Sequence, residues 1–250
     1  MTDLFASLDI SLATWFACFC AVTLSSGVQR LSGQAFGIVA APLIALVAPQ
    51  FLPAGLLLLG ISVGLTSTAV DISAIDKAEI IPGFFGRALG AVLAAMVAAR
   101  ITDVSLIAGL TGLVVLAGIA LSLSGLRVKI RPLSLLLAGI TAGLMGTITA
   151  VGAPPMALLY QHEPAKRARA MQNAFFFWGM CVSVLALAWQ GLVTGRHLIF
   201  ALSLIPAIVL GLSISMPLAK HMERRTLRPY ALGLSAIAAT TLILRLVLTE

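Results

Sequence analysis

Charged residues are scarce in this 250-residue chain. Lys, Arg, Asp and Glu make up 10% of it, whereas soluble domains carry about 25%. Hydrophobic residues reach 60%, and the mean hydropathy is +1.08. This balance excludes an ordinary soluble protein and indicates a polytopic membrane protein in a lipid bilayer, with no length left over for a soluble domain.

Several classes of functional motif are also missing. We find no nucleophile–base pair, no metal-ligand cluster and no phosphate-binding glycine loop, so the sequence predicts neither an enzyme nor a cofactor. The three cysteines, Cys18, Cys20 and Cys181, lie in apolar runs, where a cysteine is usually a small hydrophobe. The net charge of +7 resides in loops rather than on a folded basic domain, so no nucleic-acid partner is expected.

No lysine or arginine precedes the first apolar run, and the first ten residues contain Asp3 and Asp9 instead. A secretory signal has a basic segment and a small-residue cleavage site, and neither is visible. We therefore expect the first apolar segment to remain in the mature protein.

Six apolar runs are long enough to cross a bilayer, which takes about 20 residues. The predicted spans are 53–72, 82–100, 104–124, 168–190, 197–219 and 230–248. Pro53, Pro82 and Pro132 are predicted to open helices, because the missing N–H of proline costs nothing in a first turn.

Two further apolar regions, 12–48 and 133–161, are too long for one helix and are interrupted by Gly, Ser, Thr and Pro. Basic loops flank the second region on both sides, and the positive-inside rule makes both loops cytoplasmic. Region 133–161 is therefore predicted to be a hairpin, broken at Thr149–Pro155, with a return arm to about Tyr160. The same count makes 12–48 a hairpin that enters from the opposite face.

The predicted fold is an all-α polytopic membrane protein with two inverted repeats, residues 1–126 and 127–250. Each repeat has a broken-helix hairpin and three transmembrane helices, and this odd number of crossings forces opposite orientations. Both termini then face the periplasm. Counting each hairpin arm as a full span gives ten crossings with the same loop orientation, so the sequence leaves open whether the hairpins are re-entrant.

The two breaks predict where a ligand binds. An unpaired backbone group in lipid costs several kcal/mol, so broken helices persist only around protein or a water-filled cavity. Paired breaks in two halves indicate a transporter's substrate site. A half-helix N-terminus there favours an anion. The candidate substrate-binding residues are Arg30, Gly33, Gln34, Gly37, Thr147, Thr149, Gly152, Pro154, Pro155, Gln172 and Asn173.

Three charged residues need separate interpretation. A lone arginine at membrane depth, such as Arg30, is costly unless it faces an anion or water, although it can also snorkel to an interface. Arg87 lies five residues into the predicted span 82–100, so snorkelling is expected there. Asp71 ends the span 53–72 and is expected in a solvated loop.

The second hairpin and the segment after it resemble the sulfite exporter TauE/SafE family, the 4-toluene sulfonate uptake permease-like transporters. The resemblance rests on the glycine-rich run that leads to Gly152-Ala153-Pro154-Pro155, and on the basic element Lys166-Arg167-Ala168-Arg169-Ala170. Gly33, Gly37 and Pro42 fill the matching place in the first half. The resemblance covers essentially the whole chain.

The resemblance implies transport of sulfite, a sulfonate or a related small anion, often outward, across a bacterial inner membrane. Nothing in the residues distinguishes a sulfonate from a carboxylate. A passive anion channel and a membrane scaffold subunit without transport activity are the alternatives that the residues leave open.

Overall fold

The structure, a computed structural model, describes residues 7–32, 35–101, 103–221 and 224–248, without the side chains of 31–32 and 216–231. All regular secondary structure in these ranges is helical. The α-helices are α1 (Leu12–Ser32), α2 (Phe36–Val47), α3 (Ala54–Val70), α4 (Lys77–Ala98), α5 (Val104–Leu123), α6 (Pro132–Thr149), α7 (Pro154–Tyr160), α8 (Ala165–Trp189), α9 (Gly195–Ser203), α10 (Ile205–His221) and α11 (Arg224–Leu248).

Six helical segments in the described ranges are long and apolar enough to cross a membrane, which supports a multi-pass membrane protein. Two of them are α1 and α6, the long arms of the predicted hairpins. The return arms α2 and α7 have 12 and 7 residues, which is too short for a full crossing. Each hairpin therefore joins one long arm to one short arm.

The start of α4 differs from the prediction. The Asp76 side chain accepts hydrogen bonds from the backbone N–H groups of Ala78 and Glu79, both at 3.1 Å. This N-cap satisfies two amides of the first turn and begins the helix at Lys77. The prediction that Pro82 opens the helix is therefore wrong, and Pro82 lies inside it.

The structure confirms two other predicted helix starts at prolines and corrects one predicted span. Pro132 occupies the first turn of α6, as predicted, and Pro53 is the cap residue before α3. The span 197–219, predicted as one helix, consists of α9 and α10, which meet at Leu204. Pro206 follows this junction and has no N–H to continue the hydrogen-bond ladder of α9.

Both predicted helix breaks occur. Helix α1 ends at Ser32 and α2 begins at Phe36. Helix α6 ends because Ala150 takes a left-handed conformation (φ 60°), which costs a non-glycine residue about 1–2 kcal/mol. The break at Thr149–Pro155 and the return arm ending at Tyr160 are thus confirmed.

The two breaks touch each other. A Cβ atom added at Gly37, in the first turn of α2, would overlap the carbonyl oxygen of Ala150. The same atom would lie 3.4 Å from the Cα of Val151. A glycine at position 37 is therefore required for this approach, and the breaks of the two halves share one location in the molecule.

Small residues bring several helix pairs into close contact. Helix α4 packs extensively on α6, where a Cβ at Gly143 would lie 2.7 Å from the Cα of Gly90. Helix α1 packs on α10 in the same way, through Gly27 and Gly211. Such contacts between backbones are a main source of helix association in lipid, where apolar side chains gain little by meeting.

The buried apolar residues form two clusters. The large cluster is built on α1, α2 and α3 and includes Phe176 and Met180 of α8. The small cluster comprises Ile80, Leu135, Ala142, Met156, Leu159, Tyr160, Ala168, Met171, Ala174 and Phe175. Because Phe175 and Phe176 belong to different clusters, the boundary between the clusters crosses α8 at this point.

An ion-pair cluster lies beside the small cluster, at the end of the molecule that carries the 71–76, 124–131 and 161–164 loops. It consists of Asp71, Glu79, Tyr160, Glu163, Arg167 and Arg169. Arg167 contacts Glu79 at 2.6 Å and Glu163 at 2.8 Å. The Tyr160 hydroxyl donates to Glu79 at 2.7 Å. The cluster joins the first half of the chain to the second.

Asp71 belongs to this cluster and is not solvated. Its residue is 5% exposed, and its carboxylate accepts a hydrogen bond from Arg169 Nε at 2.6 Å. The expectation of a solvated loop at Asp71 is therefore wrong. The reason is tertiary, because the partner lies about a hundred residues away in the chain.

Candidate functional site

A fully buried arginine lies in the middle of α4. Arg87 is 2% exposed. The expectation that it snorkels to an interface is wrong because α4 starts at Lys77, not at Pro82. Arg87 therefore lies ten residues beyond the start of the helix, about 15 Å along its axis. At that depth its side chain remains inside the protein.

Three glycines make room for the guanidinium of Arg87. A Cβ at Gly146 of α6 would lie 2.6 Å from both terminal nitrogens, and a Cβ at Gly152 would lie 2.8 Å from Nη1. A Cβ at Gly179 of α8 would overlap Nε. Any side chain at these positions would displace the guanidinium. Helix α6, the second break and α8 therefore enclose the guanidinium on three sides.

The guanidinium is only partly satisfied inside the protein. Its Nη1 donates to the carbonyl oxygen of Ala142, and its Nη2 donates to Ser183 Oγ at 3.3 Å. The Ser183 hydroxyl also bonds to Thr147 Oγ1 at 2.7 Å. Nε is buried without a hydrogen-bond partner, and none of the ion pairs in the described ranges includes Arg87.

A small cavity lies beside this guanidinium. It is lined by Arg87, Gly152, Ala153, Met156, Gln172, Phe175, Phe176 and Met180. Its free space admits about one water-sized molecule. Because members of both the small and the large cluster line it, the cavity lies at the boundary between the clusters, with a guanidinium and an amide on otherwise apolar walls.

Some predicted site residues of the second half gather here. Gly152 and Gln172 line the cavity, and Gln172 is buried. Thr147 is also buried and reaches Arg87 through the Ser183 hydroxyl. These positions come from α6, the break and α8, so the second break brings them together with an arginine of the first half.

Other predicted residues of the second break serve its local structure. Pro154 and Pro155 begin α7 and have no N–H, so they do not supply amide donors to the cavity. The Thr149 hydroxyl donates to the Met145 carbonyl and accepts from the Val151 amide at 3.2 Å. Proline thus removes two amide donors from this first turn, and the full positive charge beside the break is that of Arg87.

The first break is closed by a chain of amide hydrogen bonds. The Phe36 N–H donates to Gln29 Oε1 at 3.0 Å, and Gln29 Nε2 donates to Asn173 Oδ1 at 3.0 Å. Asn173 Nδ2 then donates to the Ser67 carbonyl at 3.3 Å. The first amide of α2 is thus satisfied inside the protein, and Asn173 braces α1 and α3 rather than lining the cavity.

The remaining residues predicted from the first half do not line the cavity. Arg30 is half-buried in the last turn of α1. Gly37 contacts the second break at Ala150. Gly33 and Gln34 lie outside the described residues.

Sequence reasoning missed Arg87, Ser183 and Gln29 as site residues. Asp76 followed by Glu79 three residues later is a helix-start pattern, and it would have placed Arg87 deep in α4. A single serine in the apolar helix α8 carries no comparable signal. Ser183 is recognisable only when Arg87 is seen beside it.

The chain was also compared with known proteins. The model of the family described as sulfite exporter TauE/SafE matches residues 18–242. Neither the search of curated proteins nor that of solved structures found a match. The family match spans most of the chain and agrees with its multi-pass helical architecture, so the chain belongs to the sulfite exporter TauE/SafE family of membrane transporters.

Proposed function

We propose that the protein is a secondary transporter that exports a small anion, such as sulfite or an organosulfonate, across a bacterial inner membrane. The observation that carries the proposal is Arg87, a buried guanidinium beside a cavity and without a carboxylate partner in the described ranges. A buried unpaired charge is costly, and a bound anion would supply the missing partner. Family membership independently implies a transported anion.

The cavity favours a monoanion with a compact oxyanion group. Guanidinium donors form a rigid fork that matches the oxygens of a sulfonate or of hydrogen sulfite. The Gln172 amide lines the same cavity. A second negative charge would face only Met156, Phe175, Phe176 and Met180, and burying it there would be costly. The cavity would have to widen to admit such an anion, and the organic group of a sulfonate would then pack on these side chains.

Transport in proteoliposomes tests this function. We expect saturable uptake of labelled sulfite or taurine, stimulated by unlabelled anion on the opposite side. Trans-stimulation requires a carrier that reorients with its substrate, so a flux that rises linearly with concentration and lacks it would identify a channel instead. A protein that folds but moves none of the tested sulfonates, sulfite or carboxylates would count against any transport role.

We further propose that substrate access alternates around this cavity. Members of the large and the small cluster line the cavity together, and in this proposal the two clusters separate in turn to admit and release the substrate. Glu79 of the ion-pair cluster lies eight residues before Arg87 on α4, about 12 Å along the helix. The small cluster and the ion-pair cluster would therefore form the closure at the end that carries the 124–131 loop.

Helix pairing supports two inverted repeats, residues 1–126 and 127–250. Helix α4 of the first half packs on α6, the long arm of the second hairpin. Helix α10 of the second half packs on α1, the long arm of the first hairpin. Helices α3 and α8 pack on each other, as do α5 and α11. A two-fold axis that exchanged the halves would produce this set of pairs, if α9 and α10 together correspond to α4.

Removing the Arg167–Glu79 ion pair is expected to loosen the closure beside the small cluster. The pair is partly exposed, so Arg167→Gln should shift the open population by only about two- to fivefold. The readout is the rate at which Ala153→Cys, a cavity position, reacts with an impermeant maleimide in inverted vesicles. Cys18, Cys20 and Cys181 are first replaced by alanine.

Arg196→Gln is the matched control, because Arg196 lies in the first turn of α9, beyond the far end of α8 from Arg167, and contacts Asp9 at 3.7 Å. It should not accelerate labelling from this side. Equal labelling rates in the Arg167→Gln variant and the parent would count against the ion-pair cluster as part of a closure.

The proposed topology puts both termini in the periplasm. Epitope tags at residues 1 and 250 should react with impermeant reagents in intact spheroplasts. The basic loops would then be cytoplasmic, as the distribution of lysine and arginine favours. Protection of both tags until the membrane is permeabilised would overturn this orientation.

A further inference from the structure

We infer that an anionic phospholipid binds in a groove between α5, α6 and α7, with its headgroup on the basic loop at the mouth of the groove. The groove is separate from the Arg87 cavity, and the two share no lining residue. The inference does not depend on which anion the protein carries.

The groove exists because its walls are small and α7 is short. Ala117 and Gly118 of α5 face Ala138 and Thr141 of α6 across it, and Leu158 of α7 lies at its base. The volume is about 440 Å³, and the lining is almost entirely apolar. A helix of 7 residues cannot fill the space between two helices that are 20 and 18 residues long.

The groove has the length of one leaflet. Ser134 and Met145 both line it, and they are eleven residues apart on α6, which is about 16 Å. The hydrocarbon core of a bilayer is about 30 Å thick, so one leaflet contributes about 15 Å. An acyl chain that runs along α6 would therefore extend from the loop towards the midplane.

Three exposed cations lie at the mouth of the groove. Arg127, Lys129 and Arg131 alternate with Val128 and Ile130 in a non-helical segment. Val128 lines the groove and Ile130 packs on the small cluster, so alternate side chains face the protein. None of the ion pairs in the described ranges includes the three cations. A phosphate that carries a net negative charge complements them.

The loop is held in place before any lipid arrives. The Arg131 N–H donates to Ser134 Oγ at 2.9 Å, and that hydroxyl donates to the Lys129 carbonyl at 2.8 Å. Gln161, which follows α7, donates to the Leu126 carbonyl. The basic segment is thus tied to two helices of the groove, which lowers the entropic cost of ordering the segment when a lipid binds.

Binding of dioleoyl phosphatidylglycerol and dioleoyl phosphatidylcholine to the purified protein, followed by native mass spectrometry, tests the inference. The acyl chains are identical, so preference for phosphatidylglycerol reports the headgroup charge. Replacing Arg127, Lys129 and Arg131 by glutamine should weaken phosphatidylglycerol binding on the order of 100-fold. Replacing Arg224, Arg225 and Arg228 by glutamine removes the same charge elsewhere and should change it less than threefold.

A second variant tests the groove itself. Ala117→Trp combined with Thr141→Trp fills it from both walls at positions that are exposed. This variant should lose binding of both lipids while remaining folded by circular dichroism. Equal affinity of the wild type for the two lipids would overturn the inference. So would unchanged binding by the tryptophan variant, or competition by glycerol phosphate, which has no acyl chains, as strong as that by phosphatidylglycerol.

Discussion

Replacing Arg87 by methionine is expected to lower anion transport about 100-fold or more. Loss of one partner from a buried charged contact typically costs 2–5 kcal/mol, and here the contact would be to the transported ion. Methionine has a similar length and no charge. Arg87→Lys keeps the charge but not the guanidinium fork, so it should retain intermediate activity.

The thermal stability of the Arg87→Met variant distinguishes a role in anion binding from a purely structural role. Because Arg87 forms no ion pair within the described ranges, methionine removes an uncompensated buried charge. A buried charge without a counter-ion carries an uncompensated desolvation cost, which an apolar side chain of similar volume does not. The melting temperature of the anion-free protein should therefore stay equal or rise, while the shift caused by added sulfite or taurine disappears.

Arg100→Met, at an exposed position in the turn that follows the same helix, is the matched control and should transport normally. Wild-type transport by Arg87→Met would remove Arg87 from the substrate path. Loss of folding in that variant would instead assign Arg87 to the core of the fold.

The second large effect is expected at Gly37, where Gly37→Ala should destabilise the protein by about 1–3 kcal/mol. Alanine alone favours a helix by about 1 kcal/mol over glycine. The added methyl group would nevertheless overlap the Ala150 carbonyl, and a backbone carbonyl has little freedom to move. Because the two breaks touch at this point, we expect transport to fall as well.

Gly233→Ala is the control for this substitution. Position 233 lies on α11, and a Cβ there meets no atom within 4 Å. This change should be neutral or slightly stabilising. Thermal unfolding of both variants in the same detergent, followed by circular dichroism, gives the comparison. Equal melting temperatures for Gly37→Ala and Gly233→Ala would contradict the close contact between the breaks.

Much of the architecture was predictable because lipid constrains the sequence strongly. Apolar length predicted most helices, and the cluster of Gly, Thr and Pro around Gly152 predicted the second break. The start of α4 was mispredicted for a local reason. Proline is tolerated at several positions near a helix start, so Pro82 did not locate it, whereas the side-chain cap at Asp76 did. The α9–α10 junction had a local signal in Pro206, which cannot continue the hydrogen-bond ladder of α9, but the long apolar run 197–219 concealed it.

The site was harder to predict than the fold. Arg30 and Arg87 are both lone arginines in apolar surroundings. The sequence favoured Arg30 as the site residue, whereas the structure buries Arg87 more deeply. The free amide donors expected at the two breaks are lost for different reasons. Pro154 and Pro155 have no N–H at the second break, and the Phe36 N–H at the first break donates to the Gln29 carboxamide. The Gln29 carboxamide is itself held by Asn173, 144 positions away, and no local pattern encodes that contact.

The unequal size of the two apolar clusters gives the carrier a resting bias. Separating the small cluster exposes less apolar surface to water than separating the large one, so opening that side costs less free energy. We expect the empty protein to spend more time open on that side, which becomes the loading face.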